Sequence, residues 1–197
     1  MKMKLVDQTG ELPVSLQELK ANSRITHDDE DVILNVYLEA AIETVQQASG
    51  LVLIAGVYEV TLPDWWHDHL CIRISPVNDV VSVKYFDING AEQEVLSSNF
   101  NWLFAGSTFS LWLNSSFYAP RTMDNNAAAV SVRIHAGYLT ESDSGYEPEL
   151  KMPVRAKQAV LMIASHWYEH REAVVQGAMM KVPQAYQYLI DQLKTYA

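Results

Sequence analysis

The sequence predicts an α+β fold, in which a small helical bundle of early and late helices carries a β-rich insertion between them. Two observations predict it. Apolar residues recur at helical spacing towards both ends of the chain, and between those parts they alternate with polar residues as in strands. We therefore divide the 197 residues, taken as a single domain, into helical segments at 12–50 and 150–197 and a β-rich segment at 51–140.

Two helices are predicted in the first helical segment. Ser15 and Glu18 have the spacing of a capping box, which starts a short helix from Leu16 to about Asn22. Thr26 starts the second helix in the same way, and the acidic run after it, 28–31, suits the positive end of a helix dipole. Gly50 ends this helix. Its apolar stripe is predicted to comprise Val32, Ile33, Val36, Tyr37, Ala40, Ala41, Thr44, Val45 and Ala48, with Val36 and Tyr37 as core anchors.

Six strands are predicted in the β-rich segment, because apolar and β-branched residues alternate there between turn signals. They lie at 57–62, 70–74, 80–86, 92–96, 109–113 and 129–135. Asn89-Gly90 predicts a hairpin turn between the third and fourth. An exposed loop is expected at 122–126.

Two more helices are predicted after a polar break at 141–145. Pro153 is placed as the first residue of the third helix, in which Trp167 and Tyr168 are core anchors. The link at 176–182 interrupts the helical pattern, and Pro183 starts the last helix. Its apolar face comprises Tyr186, Leu189, Ile190 and Leu193.

Charge and composition narrow the function. The formal net charge is −10, and the 14 basic residues are scattered, whereas a protein that grips DNA clusters them. Cys71 is the only cysteine, which fits a reducing cytoplasm. The charged first residues predict no signal peptide, and no apolar run is long enough to predict a membrane span.

The segment His166 to His170, HWYEH, has the H-x-x-E-H spacing of one class of zinc peptidases. Two histidines four apart share a helix face, as a zinc site requires, but a third ligand is missing from the sequence nearby, where only Glu172 follows. We favour the interpretation that these are polar residues flanking a tryptophan anchor. No catalytic residue, cofactor site or metal site is predicted, and a zinc-dependent hydrolase is kept as an alternative.

A second aromatic and histidine cluster lies at 65–69. Trp65 and Trp66 precede two histidines, and Pro63 and Asp64 predict a loop there. Tryptophan is enriched at protein interfaces, so we predict an interface at Trp65 and Trp66. The alternative is a carbohydrate- or host-surface-binding module, in which the two indoles stack on a sugar.

Four pieces of the sequence carry a resemblance to a known family. In chain order they are Leu12 to Lys20 leading into His27 to Asp31; Ser75 to Val77 with Val81 to Tyr85, Asp87 and Gly90; Pro153 to Val160; and His166 to Val174. In this order they resemble the head–tail connector (head-completion adaptor) proteins of long-tailed bacteriophages and prophages. In that family the fourth piece commonly has Asn where this chain has His170.

The resemblance implies a structural role without catalysis. Copies of the chain would form a ring, expected to be a dodecamer in the virion, between the portal protein and a tail-side or stopper protein. The ring would lie at the portal vertex and extend the channel, through which DNA passes without specific binding. The protein would be made in the cytoplasm of the bacterial host, and no membrane partner is expected. The predicted interface residues are Trp65, Trp66, Tyr186, Tyr188 and Tyr196. The last helix is predicted either to dock on a neighbour or to close the bundle.

Overall fold

The computed structural model describes residues 1–139, 151–170, 174–175, 178–179 and 184–194. The chain divides into two compact units. The first, called the β unit, comprises Met1–Gly10 and Ile54–Tyr138. The second, called the helical unit, comprises Glu11–Leu53 and Leu139–Ala197. The described residues confirm the predicted α+β class, with helices towards both ends of the chain.

The helical unit contains four described helices: α1 (Leu16–Ser23), α2 (Asp31–Ser49), α3 (Val154–Glu169) and α4 (Gln184–Leu193). The capping box of α1 is confirmed, since the Ser15 hydroxyl accepts from the Glu18 backbone N–H and the Glu18 carboxylate accepts from the Ser15 backbone N–H. Gly50 ends α2 in the left-handed conformation, with φ 78°, as predicted. None of the helices in these described ranges is long and apolar enough to cross a bilayer.

The second helix begins later than predicted. Its N-cap is Glu30, without a side-chain cap bond, and not Thr26. Lys20 explains the difference, because its ammonium lies 2.5 Å from Asp28 Oδ1 and 2.7 Å from Asp31 Oδ1. These two bonds hold the residues before Asp31 in a turn beside α1.

The buried stripe of α2 is rotated from the predicted one. It consists of Leu34, Leu38, Ala41, Ile42, Val45 and Ser49. The prediction of Val36 as a core anchor is wrong, since Val36 is 53% exposed and Val32 is 82% exposed. Apolar residues surround most of this helix, and turning the larger leucines inward removes more apolar area from water. Tyr37, by contrast, is partly buried.

The remaining core of the helical unit comes from α3 and α4, which pack against each other and against α2. Trp167 and Tyr168, predicted as core anchors, are partly buried on α3. The Tyr168 hydroxyl donates to Glu30 Oε2 at 2.5 Å and so ties the end of α3 to the start of α2. The fully buried side chains of α3 are Ala156, Ala159, Val160, Ile163 and Ala164, and those of α4 are Tyr186, Leu189, Ile190 and Leu193.

The β unit contains two antiparallel sheets within the described residues. A five-stranded sheet has the order β1-β2-β8-β4-β5, and a three-stranded sheet has the order β3-β7-β6. The strands are β1 (Lys2–Gln8), β2 (Gly56–Leu62), β3 (Leu70–Arg73), β4 (Val77–Phe86), β5 (Glu92–Val95), β6 (Phe100–Ala105), β7 (Thr108–Leu113) and β8 (Val130–Ala136). The six predicted strands are present, and β1 and β6 were not predicted.

One face of the five-stranded sheet is apolar and the other is polar. In the central strand β8, Val132 and Ile134 are fully buried, whereas Arg133 between them lies on the polar face. Arg133 stands opposite Glu59 of β2, and Glu59 stands opposite Lys4 of β1. This alternation is the two-residue period of a sheet that is covered on one side.

The predicted hairpin between β4 and β5 is confirmed. Gly90 has φ +79°, a conformation that glycine adopts without strain. The Asp87 carboxylate accepts from the backbone N–H groups of Ala91 and Asn89, and these bonds hold the pKa of Asp87 below its usual value. Of the predicted loop at 122–126, Met123 and Asp124 are exposed, whereas Thr122 is buried.

Several predictions fall partly or wholly outside the described residues. They concern the polar break at 141–145, Glu172, Pro183 and Tyr196. Within the predicted link at 176–182, only Ala178–Met179 is described; it forms a two-residue strand, β10, antiparallel to β9 at Val174–Val175.

Candidate functional site

Trp65 serves first as a packing residue of the β unit. Its ring centroid lies 5.2 Å from that of Tyr85 and 6.2 Å from that of Phe117. Its indole Nε1 donates to the Pro120 carbonyl oxygen at 2.8 Å. The planes of Trp65 and Trp66 meet at 65°, so the two indoles do not form a flat platform for a sugar. The predicted interface at these residues stays a prediction.

The HWYEH segment forms the last turn of α3. The imidazole rings of His166 and His170 lie 4.7 Å apart, as their shared helix face requires. His170 Nδ1 lies 3.1 Å from the His166 carbonyl oxygen. A carbonyl only accepts, so Nδ1 carries the proton, and His170 caps the C-terminal end of the helix with its side chain. Tyr168 is occupied by its bond to Glu30.

These histidines belong to no three-residue metal-binding cluster in the part of the chain that the structure describes. No group of three His, Cys, Asp or Glu side chains there is placed to hold a metal ion. Glu169 is exposed beside the pair, and Glu172 lies outside the described residues. The segment therefore offers two imidazoles as ligands, and the imidazole of His170 is already hydrogen-bonded to the C-terminal end of α3.

A groove of about 550 Å³ lies on the outer side of α3 in the helical unit. It is lined by Asn22 of α1 and by residues of α3 that include Lys157, Leu161 and His166. Its floor is fixed by a bond of 2.8 Å from the Asn22 amide to the Ser165 hydroxyl. An ion pair between Lys157 and Glu18 further joins the two helices and lowers the pKa of Glu18, chiefly through the Lys157 hydrogen bond.

The exposed face of α2 is half apolar and half acidic. Val32 and Val36 form its N-terminal part, and Glu39 and Glu43 follow on the same face. Val32 and Val36 are one helical turn apart, so together they form a small exposed apolar strip. The acidic part adds to the overall negative charge.

The tyrosines of α4 have different environments. Tyr186 is 5% exposed, and burial raises the pKa of its phenol, so its predicted role as an interface residue does not fit the subunit structure. It lies in phase with the buried Leu189, Ile190 and Leu193. Tyr188, two residues along and therefore on the opposite side of the helix, is 64% exposed, and its hydroxyl accepts from the Gln192 amide.

The first strand was missed by reasoning from the sequence. Its residues Met3 and Leu5 alternate with Lys2 and Lys4, and this period of two is the signal that predicts a strand. β1 forms one edge of the five-stranded sheet and is exposed along its whole length. A long exposed edge strand with apolar side chains is a surface on which another strand can add.

Comparison with known proteins identifies the family. Two segments, residues 13–100 and 126–194, match the family described as phage gp6-like head-tail connector protein, and together they span well over half of the chain. The chain belongs to this head-tail connector family. The match includes α1, α2, β2 to β5, β8, α3 and α4, so it covers most of both units of the connector. The predicted resemblance is confirmed.

Solved structures share the connector fold along its whole length. A chain in the neck of an empty gene transfer agent (GTA) particle, computed with C6 symmetry, has a TM-score of 0.77 and 22% identity. A chain in the virion of a native GTA particle has a TM-score of 0.75 and 23% identity. One in the neck of a native GTA particle, computed with C12 symmetry, has a TM-score of 0.69 and 24% identity. Each comparison covers 100% of this chain and 97% of the other. None of the curated proteins compared with the connector matches it.

Proposed function

We propose that the connector is one subunit of a ring that lies between the portal and the tail of a tailed phage or phage-like particle and extends the channel for DNA. The observation that carries this proposal is the family match, which spans both units and describes head-tail connectors. The shared fold supports it further, since chains of that fold occur in particle necks computed with six-fold and twelve-fold symmetry. The proposed partners are copies of the chain, the portal protein and a tail-side or stopper protein.

The charge distribution suits a channel through which DNA slides. The net charge is −10, and basic side chains in both units are already neutralised within the subunit. A basic side chain paired with a carboxylate has little attraction left for a phosphate. The cations that form ion pairs are Lys4, Lys20, Lys84, Arg121, Arg133, Lys157 and Lys194.

The proposed role consists of protein contacts without bond chemistry. Residues of the segment that resembled a zinc site have structural tasks in the subunit, since His170 caps α3 and Tyr168 holds Glu30. A ring joins two different surfaces of each subunit, because its contacts are heterologous. Tyr188 on the exposed side of α4 is our proposed docking residue for the portal or a neighbour.

The proposal is tested by imaging and by deletion. Purified connector, alone and mixed with its portal, is examined by electron microscopy, and rings stacked on the portal are expected. Particles made without the connector should lose packaged DNA or fail to join tails. Normal genome retention and tail joining in those particles would contradict the proposal, as would failure to bind the portal. If α4 docks on the portal, Tyr188→Ala should weaken portal binding. Tyr118→Ala, which removes another exposed tyrosine, is the matched control and should leave portal binding unchanged.

A further inference from the structure

The five-stranded sheet of the β unit ends in two edges of opposite charge. β1 forms one edge and β5 the other, and neither pairs with a further strand among the described residues. β1 carries Lys2 and Lys4, whereas β5 carries Glu92 and Glu94. Lys4 is paired with Glu59 and Glu92 with Lys84 inside the subunit, whereas Lys2 and Glu94 form no ion pair within the described part of the chain.

The four charged residues lie on the same face of the sheet. Residues directly opposite one another in an antiparallel pair share a face. Lys4 is opposite Glu59, Glu59 is opposite Arg133, and Arg133 is opposite Ser82. Lys84, two residues beyond Ser82, is opposite Glu94. Lys2 and Glu92 belong to the same face by the two-residue period of their strands.

The other face matches as well. Met3 and Leu5 of β1 lie on the apolar face, opposite Val60 and Tyr58, and are 44% and 49% exposed. Val95 of β5 lies on the same apolar face, opposite Val83. An edge-to-edge contact that continues the sheet would bring Val95 beside Leu5 on one face and opposite charges together on the other.

Strand direction fixes how such a contact would run. All pairs in the sheet are antiparallel, so its first and fifth strands point the same way. Successive copies around a ring of many subunits differ by a small rotation, so β5 of one copy would lie parallel to β1 of the next. In that direction β5 matches β1 at three of four positions, the exception being Gln93 beside Met3. Glu92 falls beside Lys2, Gln93 beside Met3, Glu94 beside Lys4 and Val95 beside Leu5.

We propose that β5 of one connector subunit adds in parallel to the outer edge of β1 in the next, so that the five-stranded sheet continues from copy to copy. This inference rests on the proposed ring. A two-fold antiparallel contact centred on Met3 would place Lys2 of one β1 strand against Lys4 of the other, and one centred on Gln93 would place Glu92 against Glu94. Like charges directly opposite destabilise a strand pair, so the edges favour the head-to-tail contact that a ring needs.

Charge exchange tests the contact in full-length protein. Lys2→Glu and Glu92→Lys should each raise the concentration needed for ring assembly by roughly two- to thirty-fold per interface, because attraction becomes repulsion. The double variant restores the pair in reverse, keeps the net charge and should assemble within about two-fold of the unmodified protein. Glu92→Lys also removes the ion pair between Lys84 and Glu92, so thermal unfolding of each variant must show that the subunit still folds before its assembly is compared. Glu11→Lys, at an exposed position of the helical unit and outside both edge strands, makes the same charge change and should assemble normally.

Disulfide capture tests the register directly. Rings are assembled, with portal where it is required, from a mixture of Lys4→Cys and Glu94→Cys subunits, both also carrying Cys71→Ser to remove the exposed thiol. Neighbouring strands lie about 4.8 Å apart, within reach of a disulfide. Oxidation should form disulfides between Lys4→Cys and Glu94→Cys subunits. It should form none between two Lys4→Cys subunits or between two Glu94→Cys subunits. Val81→Cys, exposed on the interior strand β4, replaces Lys4→Cys in the control and should give no link.

The outcomes separate the two proposals. Rings that form without the Lys4→Cys to Glu94→Cys link, or in which Lys4→Cys subunits link to one another, overturn the edge contact and leave the ring standing. A double charge variant that assembles no better than either single variant also overturns it. Failure of the unmodified protein to form rings with or without its portal overturns the proposed function and the edge contact together.

Discussion

Replacing Glu59 by glutamine should destabilise the β unit through one ionic network. The Glu59 carboxylate on β2 lies 2.9 Å from Lys4 Nζ on β1 and 2.9 Å from Arg133 Nε on β8, so it joins three adjacent strands. Glu59 is only 9% exposed. The Lys4 hydrogen bond and then the Arg133 bond hold the pKa of Glu59 below its usual value.

The expected loss of stability depends on which of the Glu59 interactions glutamine can still make. Its amide oxygen can accept from one of the two cations, but the charge and the second bond are lost. A hydrogen bond to a charged group contributes about 1.5–3 kcal/mol, and the exposure of Lys4 reduces that figure through solvent screening. We expect the free energy of unfolding to fall by about 1–2 kcal/mol at pH 7. In a chain of this length this corresponds to about 2–8 °C in Tm.

The pH dependence distinguishes charge from packing. Because the native pKa of Glu59 is lowered, its stabilisation is complete above the unfolded-state value, about 4.3, and is lost as the pH falls through the native value. Urea unfolding between pH 7 and pH 3 should therefore show a gap, meaning a difference in the free energy of unfolding between the unmodified protein and Glu59→Gln, that closes on acidification. Glu39→Gln, on the exposed face of α2, should show no gap at any pH. A Glu59→Gln gap as large at pH 3 as at pH 7 would refute the ionic explanation.

Three further predictions concern stability and are measured by thermal or urea unfolding. Leu38→Ala should cost about 2–5 kcal/mol because Leu38 is fully buried, whereas Val36→Ala should cost less than about 0.5 kcal/mol; equal losses would contradict the observed phase of α2. Gly137→Ala should lower the free energy of unfolding by at least about 2 kcal/mol, because φ is +112° and the new Cβ would lie 2.6 Å from the Ile54 carbonyl oxygen. An unchanged stability would mean that this backbone relaxes freely. Ser15→Ala should cost about 0.5–2 kcal/mol, and Ser15→Thr should recover most of it if the loss is that of the cap.

The sequence correctly predicted those helix ends that are set by residues close together in the chain. The capping box at Ser15 and the glycine stop at Gly50 both involve residues within one turn, and both were confirmed. The start of α2 was wrong by several residues because Lys20, on another helix, engages Asp28 and Asp31. Such a contact depends on how α1 returns against α2, which no local pattern contains.

The omission of the first strand also has a physical explanation. β1 pairs with β2, about fifty residues further along the chain, so no hairpin turn or neighbouring strand in the sequence indicates it. Its only local signal is the alternation of Met3 and Leu5 with lysines, which also occurs in exposed termini. Within the candidate site, helical phase separates the buried Tyr186 from the exposed Tyr188, whereas aromatic composition treats them alike.

The apolar residues exposed on this subunit show why periodicity gives the element correctly but not always its buried face. Val32 and Val36 repeat at helical spacing, and Met3 and Leu5 repeat at strand spacing, yet all four are substantially exposed in the single chain. Periodicity reports which residues avoid water in the working state of a protein. For a subunit that functions in an assembly, that state includes contacts with its neighbours. In the edge contact proposed above, the charges beside Met3 and Leu5 would supply the specificity. Apolar edges alone could pair in many registers, whereas lysines on one edge and glutamates on the other favour one order of subunits.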